Sequence, residues 1–283
     1  EPDSIYYDES QISARILELD QNEQLQRTII LNRVDTVLKD EGVFAGPNQF
    51  LYATDATLNP DFIYRLEIQK NDESPVVSSE TQVVEPMNMI FPVTNGLINP
   101  AAKTVSMRFS LGETVRSYQV GVRLNVVEED TALNTLTPVT VEFLLPKEDG
   151  ELGEGETYYK EFKGAAFMQY VAVTLGEPAN NVIRHAVDMD LAFYLAGDDF
   201  ETYLEINGPS DGIVQERPQF SNIENGIGLF ASRFIGLGSE DLELRSAFYD
   251  SLTCSEYTRD LAFAKYVTNA GTNGTDTIVR CTQ

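Results

Sequence analysis

The feature that most constrains the fold is the alternation of apolar and polar residues along short segments. In "FIYRLEIQK" (62–70), Phe62, Tyr64, Leu66 and Ile68 alternate with polar or charged residues. This period of two is typical of a half-buried β-strand. The same alternation recurs in "KTVSMRFSL" (103–111) and "SYQVGVRLNVVEE" (117–129). The pattern therefore predicts a chain that is mainly β before residue 145.

Turn-forming and proline-rich segments divide this β pattern. "NDES" follows the first clear strand, and "PVVSSETQVV" is predicted to be its partner strand. Prolines at positions 86, 92 and 100 lie around "TNG" in a linker-like stretch near residues 85–103. We therefore expect residues 1–92 to form an immunoglobulin-like β-sandwich domain. Residues 93–283 are expected to form a second β-rich domain with inserted helices.

Helical spacing appears only in the second half of the chain. "YYKEFKGAAFMQYVAVTLG" predicts the principal helix, near residues 161–175. "DDFETYLEIN" predicts a short helix with Asp198 or Asp199 as its N-cap. "NVIRHAVDMDLAFYLAG" is predicted to be a strand, and "YTRDLAFAKYV" (257–267) a closing strand. The acidic, glycine-rich "KEDGELGEGE" (147–156) is predicted to be a solvated loop.

The charge of the chain excludes some functions. It contains 45 acidic and 20 basic residues, which give a formal net charge of −25. A field of that sign repels phosphate backbones, so no nucleic-acid partner is expected. No apolar run reaches the 18 or so residues that a membrane-spanning helix needs.

Residues that carry chemistry are few, and no known catalytic motif is present. The single histidine, His185, lies far from both cysteines, which argues against a zinc site of the Cys/His kind. In a strand, His185 and Asp188 point to opposite faces, so they do not form a ready dyad. No cofactor, metal site or catalytic residue is therefore predicted. Pairs of carboxylates suited to glycoside hydrolysis remain open, because 45 acids allow many pairings.

The segment "PQFSNIENGIGLFASRF" (218–234) contains the candidate binding residues. Asn225-Gly226 predicts a two-residue hairpin turn with positive φ at both positions, which needs no ligand. Gly228 would allow a close backbone approach or a bulge, and Arg233 would bind a carboxylate or pair with a surface acid. The candidate binding residues are Asn222, Asn225, Gly226, Gly228 and Arg233.

Cys254 and Cys281 are the only cysteines, and we predict that they form a disulfide. In the chain-entropy model this bond would stabilise the fold by roughly 3–4 kcal/mol. It would also indicate an oxidising compartment. The alternative is two free, buried thiols.

Four segments carry a resemblance to known proteins: "DFIYRLEIQKNDESPVVSSETQVVEP", "SYQVGVRLNVVEED", "YTRDLAF", and above all "SNIENGIGLFASR", an Asn-Ile-x-Asn-Gly-x-Gly-x-Phe signature. They resemble a family of Bacteroidota cell-envelope lipoproteins of unknown function. The resemblance implies export, a lipidated cysteine upstream of Glu1, and anchoring to the outer membrane, either periplasmic or surface-exposed. It supplies no catalytic residues.

We therefore expect a non-catalytic, outer-membrane-associated lipoprotein that is an accessory or binding subunit of an envelope assembly for uptake or protein secretion. Its partner would be an outer-membrane protein complex or an extracellular ligand. The alternative is a carbohydrate-active or other hydrolase with an acidic site. A deep cleft lined by two facing carboxylates would favour the enzyme, whereas a flat apolar patch would favour the subunit.

Overall fold

The computed structural model describes residues 10–34, 51–72, 74–149, 156–208, 220–267 and 277–279. Contacts divide the chain into two compact units. Unit 1 comprises Glu1–Glu85, Thr114–Arg116 and Ala196–Arg233; unit 2 comprises Pro86–Glu113, Ser117–Leu195 and Phe234–Gln283. The predicted division into 1–92 and 93–283 is continuous in sequence, whereas these units interleave. Residues 196–233 belong to the first unit, and no local sequence pattern predicts this assignment.

The described elements confirm a mainly β chain, and they include three helices where the sequence predicts one or two. In chain order they are β1 (Ile12–Leu19), β2 (Leu25–Ile30), β3 (Asn32–Val34), β4 (Leu51–Ala53), β5 (Ile63–Lys70), β6 (Val77–Gln82), β7 (Asn88–Phe91), β8 (Leu97–Ile98), β9 (Val105–Ser110), β10 (Ser117–Asp130), β11 (Thr135–Leu144), β12 (Glu148–Asp149), β13 (Thr157–Phe162), α1 (Gly164–Leu175), β14 (Val182–Ala196), α2 (Asp198–Asn207), β15 (Arg233–Leu244), α3 (Ser246–Cys254), β16 (Lys265–Val267) and β17 (Thr277–Val279).

Unit 1 is built around an antiparallel sheet with the strand order β2-β1-β5-β6. One face of this sheet is apolar: Ile16, Ile29 and Tyr64 are buried together. Phe62 and Leu66 pack against that cluster, as the alternation in β5 predicts. The opposite face carries charged side chains in cross-strand register, including Arg15 opposite Glu67 and Arg65 opposite Glu80.

Unit 2 contains a sheet with the strand order β11-β10-β14-β15-β8, in which β12 also pairs with β10, and a second sheet ordered β13-β9-β7. The predicted inward faces are confirmed for two strands. Buried side chains alternate with less buried ones at 105, 107 and 109 in β9, and at 118, 120, 122, 124 and 126 in β10. The alternate positions of β10 face the other side of the sheet.

The helices match their predictions more closely than the chain end does. α1 and α2 confirm the predicted helices, but Gly197 rather than an aspartate is the N-cap of α2. Asp198 and Asp199 lie in the first turn, where their negative charges interact favourably with the positive end of the helix dipole. The closing strand predicted for 257–267 is wrong over most of its length, since only Lys265–Val267 is a strand. The preceding residues form turns, in which the Thr258 hydroxyl donates to the carbonyl oxygen of Leu252 at 2.7 Å.

Cys254 is the last residue of α3 and is disulfide-bonded. Its predicted partner, Cys281, lies outside the described residues, as does most of the acidic loop predicted at 147–156. None of the helices in the described part of the chain is both long and apolar enough to cross a membrane.

Candidate functional site

Asn222 holds the two ends of a loop in unit 1 together. We name residues 221–230 the signature loop. The Asn222 side chain accepts from the backbone N–H of Phe230 at 2.9 Å and donates to its carbonyl oxygen at 2.7 Å. Phe230 is thereby placed against the apolar cluster of unit 1. Burial raises the pKa of Asp199, and a hydrogen bond with Asn222 opposes that effect. Both polar atoms of the Asn222 amide therefore serve to hold the loop.

The signature loop is also pinned to the edge strand β6. Glu224 forms an isolated antiparallel bridge with Ser78, through backbone hydrogen bonds of 2.8 and 3.3 Å. The hydroxyl of Ser79 donates to the carbonyl oxygen of Asn222 at 2.7 Å. The Asn225 side-chain amide donates to the carbonyl oxygen of Val76 at 2.9 Å. These contacts extend the unit 1 sheet by a short segment at its edge.

The two-residue hairpin predicted at Asn225-Gly226 is wrong. Asn225 has a φ of 55°, but Gly226 is not among the glycines with positive φ, and the loop carries only an isolated bridge at this point. Gly226 instead allows close packing of the loop. A Cβ there would lie 3.0 Å from the Ile223 side chain and 3.2 Å from that of Val77. These contacts are tight, so a larger residue would require both side chains to shift by a few tenths of an ångström.

The other two candidate residues have separate roles. Gly228 has a φ of 155°, a conformation that residues with a Cβ rarely adopt, and its N–H donates to the Ser221 hydroxyl at 3.1 Å. The Arg233 guanidinium lies 5.9 Å from the ring centroid of Phe200 on α2, a cation–π contact. Of the five candidates, the structure brings Asn222, Asn225, Gly226 and Gly228 together in one loop and places Arg233 just beyond it.

A groove of about 520 Å³ lies on the charged side of the unit 1 sheet beside the loop. Residues of β5, β6 and the signature loop line it, namely Arg65, Glu67, Val76, Ser78, Ser79, Glu80, Asn222 and Glu224. Two of the glutamates are paired: Glu67 with Arg15 at 2.7 Å, and Glu80 with Arg65. Glu224 accepts from the Ser78 hydroxyl at 3.3 Å and has no ion pair within the described ranges. The groove therefore retains unneutralised negative charge.

Ile227 stands at the tip of the signature loop and is 86% exposed, more than any other large apolar side chain in the described part of the chain. Val76, on the groove wall, is 38% exposed. The residues around Ile227 are fixed by side-chain hydrogen bonds from Asn222 and Asn225. An apolar side chain is thus held in solvent on a backbone that is tied down on both sides.

A second cavity, of about 390 Å³, lies in unit 2 over the outer face of β10, β11 and β14. Arg123, Asn125, Thr140, Glu142 and Asp190 line it. None of these residues is among the site residues predicted from the sequence. The alternation along each strand indicates that these side chains face outward. It does not show that they meet, because the hydrogen bonds between them and to Tyr194 join residues that are 15 to 71 positions apart in the sequence. Only the sheet register shows that they meet.

Three aspartates lie next to this second cavity. One carboxylate oxygen from each of Asp188, Asp190 and Asp241 lies within 4.8 Å of the others. The Asn125 amide donates to Asp188 at 2.7 Å and to Asp190 at 2.9 Å, and the backbone N–H of Asp241 donates to Asp190 at 3.0 Å. These hydrogen bonds offset part of the repulsion between the carboxylates.

His185 lies apart from the aspartates and has a different partner. Its Nε2 lies 2.8 Å from a carboxylate oxygen of Glu129 on β10. The neighbouring Arg184 side chain is 3% exposed and pairs with Glu128 at 2.8 Å. Both contacts join β14 to β10, so they stabilise the unit 2 sheet.

In comparisons with known proteins, no family model and no curated protein sequence matches the chain.

Proposed function

We propose that the protein is a non-catalytic, outer-membrane-associated lipoprotein that serves as an accessory or binding subunit of an envelope assembly for uptake or protein secretion. The signature loop and the adjoining groove are its contact surface. The observation that carries this proposal is the exposure of Ile227 on a loop whose amides are committed to holding it in place. A rigid loop loses little entropy on binding, and an apolar residue at its tip can fill a pocket on a partner.

The charge of the groove indicates the chemistry of the partner. Glu67 and Glu80 are neutralised by arginines, but Glu224 has no cationic partner among the described residues. The chain as a whole has a net charge of −25. A partner segment with a basic side chain beside an apolar pocket would complement both Glu224 and Ile227.

Export to the envelope is the second part of the proposal. Cys254 is disulfide-bonded, and such bonds persist mainly in oxidising compartments. The lipid anchor upstream of Glu1 rests on the resemblance of the signature to envelope lipoproteins. Metabolic labelling of the full-length product with a radioactive fatty acid, followed by membrane fractionation, tests this part. Unlabelled protein in the soluble fraction would contradict it.

The immunoglobulin-like character of the first domain also belongs to this proposal. It is supported by the antiparallel β2-β1-β5-β6 sheet, which has one apolar and one charged face. Domains of that class commonly present loops at their ends for binding.

Co-purification from native envelopes tests the contact surface. Tagged wild-type protein is compared with Ile227→Asp and with Val173→Asp, a control at an exposed position (79%) on α1. The proposal predicts that the same partner proteins accompany the wild type and Val173→Asp, and that Ile227→Asp loses them. Glu224→Lys should lose them as well. Equal recovery with all four proteins would contradict the proposal.

One observation favours the alternative, a hydrolase with an acidic site. Glu142 and Asp190 line the same cavity in unit 2, which meets part of the requirement for paired carboxylates. If the protein is a hydrolase, it should release reducing sugar from a polysaccharide substrate, and both Glu142→Gln and Asp190→Asn should abolish this release. The binding subunit predicts no release by any of the three proteins.

A further inference from the structure

The cavity on the unit 2 sheet is lined by two rows of polar side chains that run across the strands. Arg123 and Glu142 are direct cross-strand partners on β10 and β11, and so are Asn125 and Thr140. The two rows are two residues apart along each strand, a separation of about 6.8 Å. Since both rows stand on one face of a sheet, their side chains point into the same space.

The first row keeps one donor and one acceptor available at the cavity. Arg123 Nε donates to Glu142 Oε1 at 2.8 Å, and Arg123 Nη2 donates to the Tyr194 hydroxyl at 2.8 Å. The Tyr194 hydroxyl in turn donates to Glu142 Oε1. Within the described residues no protein group bonds Arg123 Nη1 or Glu142 Oε2. The two side chains are 29% and 31% exposed, so these atoms are open to solvent.

Hydrogen bonds and the space over Gly121 orient the first row. A Cβ at Gly121 would lie 2.6 Å from Glu142 Oε1, so the glycine makes room for the carboxylate to lie over β10. Tyr194 holds the guanidinium and the carboxylate from the third strand. A site whose donors and acceptors are already oriented loses less entropy when a ligand binds.

The second row differs from the first, because its donors are already used and only acceptors remain available at the cavity. The Thr140 hydroxyl donates to Asn125 Oδ1 at 2.9 Å, which leaves the lone pairs of its oxygen as acceptors. The Asn125 amide is fixed by Asp188 and Asp190 on β14. Thr140 is exposed at the cavity wall.

We propose that this cavity is a second binding site, separate from the signature loop, for a neutral polyhydroxylated ligand of the saccharide class. A saccharide carries several hydroxyl groups, each of which both donates and accepts, so its hydroxyls can satisfy Arg123 Nη1 as well as Glu142 Oε2. Neighbouring hydroxyls of the same molecule reach Thr140 and Asp190. An anionic ligand would meet the carboxylates of Glu142 and Asp190. At the first row a cationic ligand would meet the guanidinium of Arg123, which already neutralises Glu142. An apolar ligand would leave the polar lining desolvated and unpaired.

Isothermal titration calorimetry of the whole protein tests the site. The probes are four neutral hexasaccharides (of glucose in α- and β-linkage, mannose and xylose), with an oligogalacturonate and a chitosan oligomer as charged controls. The variants are Thr140→Val, which keeps the side-chain shape and loses the hydroxyl, and the matched Thr137→Val on the same strand. Thermal unfolding confirms that both variants fold.

The proposal predicts that at least one neutral hexasaccharide binds and that neither charged oligomer binds as tightly. Thr140→Val should weaken binding roughly tenfold, as expected for the loss of a hydrogen bond and its network, and Thr137→Val should not. Failure of all four neutral probes to bind, tighter binding of a charged oligomer, or equal affinity in the two variants would overturn the proposal.

Discussion

The side chain of Asn222 and the backbone of Phe230 are joined by two hydrogen bonds across eight residues, one donated and one accepted. This pair closes the signature loop and directs the Phe230 ring onto the apolar cluster of unit 1. The Asn-Ile-x-Asn-Gly-x-Gly-x-Phe motif therefore stabilises the conformation of the loop in which it lies. What the loop displays, chiefly Ile227, is available for binding.

Replacing Asn222 tests the role of this closure in stability. Asn222→Ala leaves the N–H and carbonyl groups of Phe230 without their side-chain partner, which should lower the free energy of unfolding by about 1–3 kcal/mol. Urea denaturation monitored by circular dichroism measures the change. Asn207→Ala is the control, because among the described residues that amide bonds only to the Tyr203 carbonyl of its own helix, at an exposed position. It should change stability by less than about 0.5 kcal/mol. Equal effects of the two substitutions would contradict the closure.

Tyr64 should contribute through its hydroxyl as well as its ring. The hydroxyl donates to Glu18 Oε2 at 2.9 Å and accepts from the N–H of Asn59 at 2.7 Å, and the side chain is almost fully buried. Tyr64→Phe keeps the ring but removes both bonds, so we expect a loss of about 1–3 kcal/mol in urea denaturation. A variant as stable as the wild type would show that these hydrogen bonds contribute no net stability.

The raised pKa of Tyr118 leads us to expect a loss of folding stability at high pH. Burial, followed by the negative charge of Glu148, raises the pKa of the Tyr118 phenol from 10.0 to about 12. The folded state therefore keeps a proton that the unfolded state releases. The stabilising effect is complete below pH 10 and is lost as the pH rises from 10 toward 12.

The size of the Tyr118 effect is at most on the order of 2–3 kcal/mol, because one pKa unit corresponds to about 1.4 kcal/mol. The measurement is the difference in unfolding free energy between the wild type and Tyr118→Phe as a function of pH. That difference should fall across this window. Parallel curves for the two proteins would contradict the raised pKa.

The cysteines give a chemical prediction. Unfolded, unreduced protein should contain no thiol that reacts with Ellman's reagent, and reduction should lower the free energy of unfolding by about 2–4 kcal/mol. Cys254→Ser should reproduce the effect of the reductant and should itself be insensitive to it. Two titratable thiols before reduction would rule out the pairing of Cys254 with Cys281.

The sequence predicts those parts of the fold that depend on local periodicity. The alternation around Tyr64 correctly places its side chain in the core. The helix α1 forms where the sequence predicts one, but its buried face consists of Phe167, Met168 and Val171, and the predicted apolar positions Tyr170 and Val173 are exposed. The hairpin expected at Asn225-Gly226 fails because the described residues just before it, 220–223, are not a strand and Glu224 forms only an isolated bridge. The Asn225 side chain instead bonds the carbonyl oxygen of Val76, about 150 residues earlier in the chain.

The candidate sites are predictable only in part, because they too depend on contacts between residues that are distant in the sequence. Asn222 is conspicuous in its motif, but its partners Asp199 and Phe230 follow from tertiary packing. Arg123 and Tyr194 lie 71 residues apart and meet only because β10 and β14 are adjacent in the sheet. No local pattern encodes which strands become neighbours or in which register.

The most direct test of the account is site-specific photo-crosslinking in intact cells that produce the full-length protein. A photoreactive amino acid is placed at position 227, at the tip of the signature loop, and in a second strain at position 173 on α1. The account predicts one discrete protein adduct from position 227 that is absent from position 173 and disappears when Glu224→Lys is added. No adduct from position 227, or the same adducts from both positions, would contradict the claim that the signature loop is the contact surface of a binding subunit.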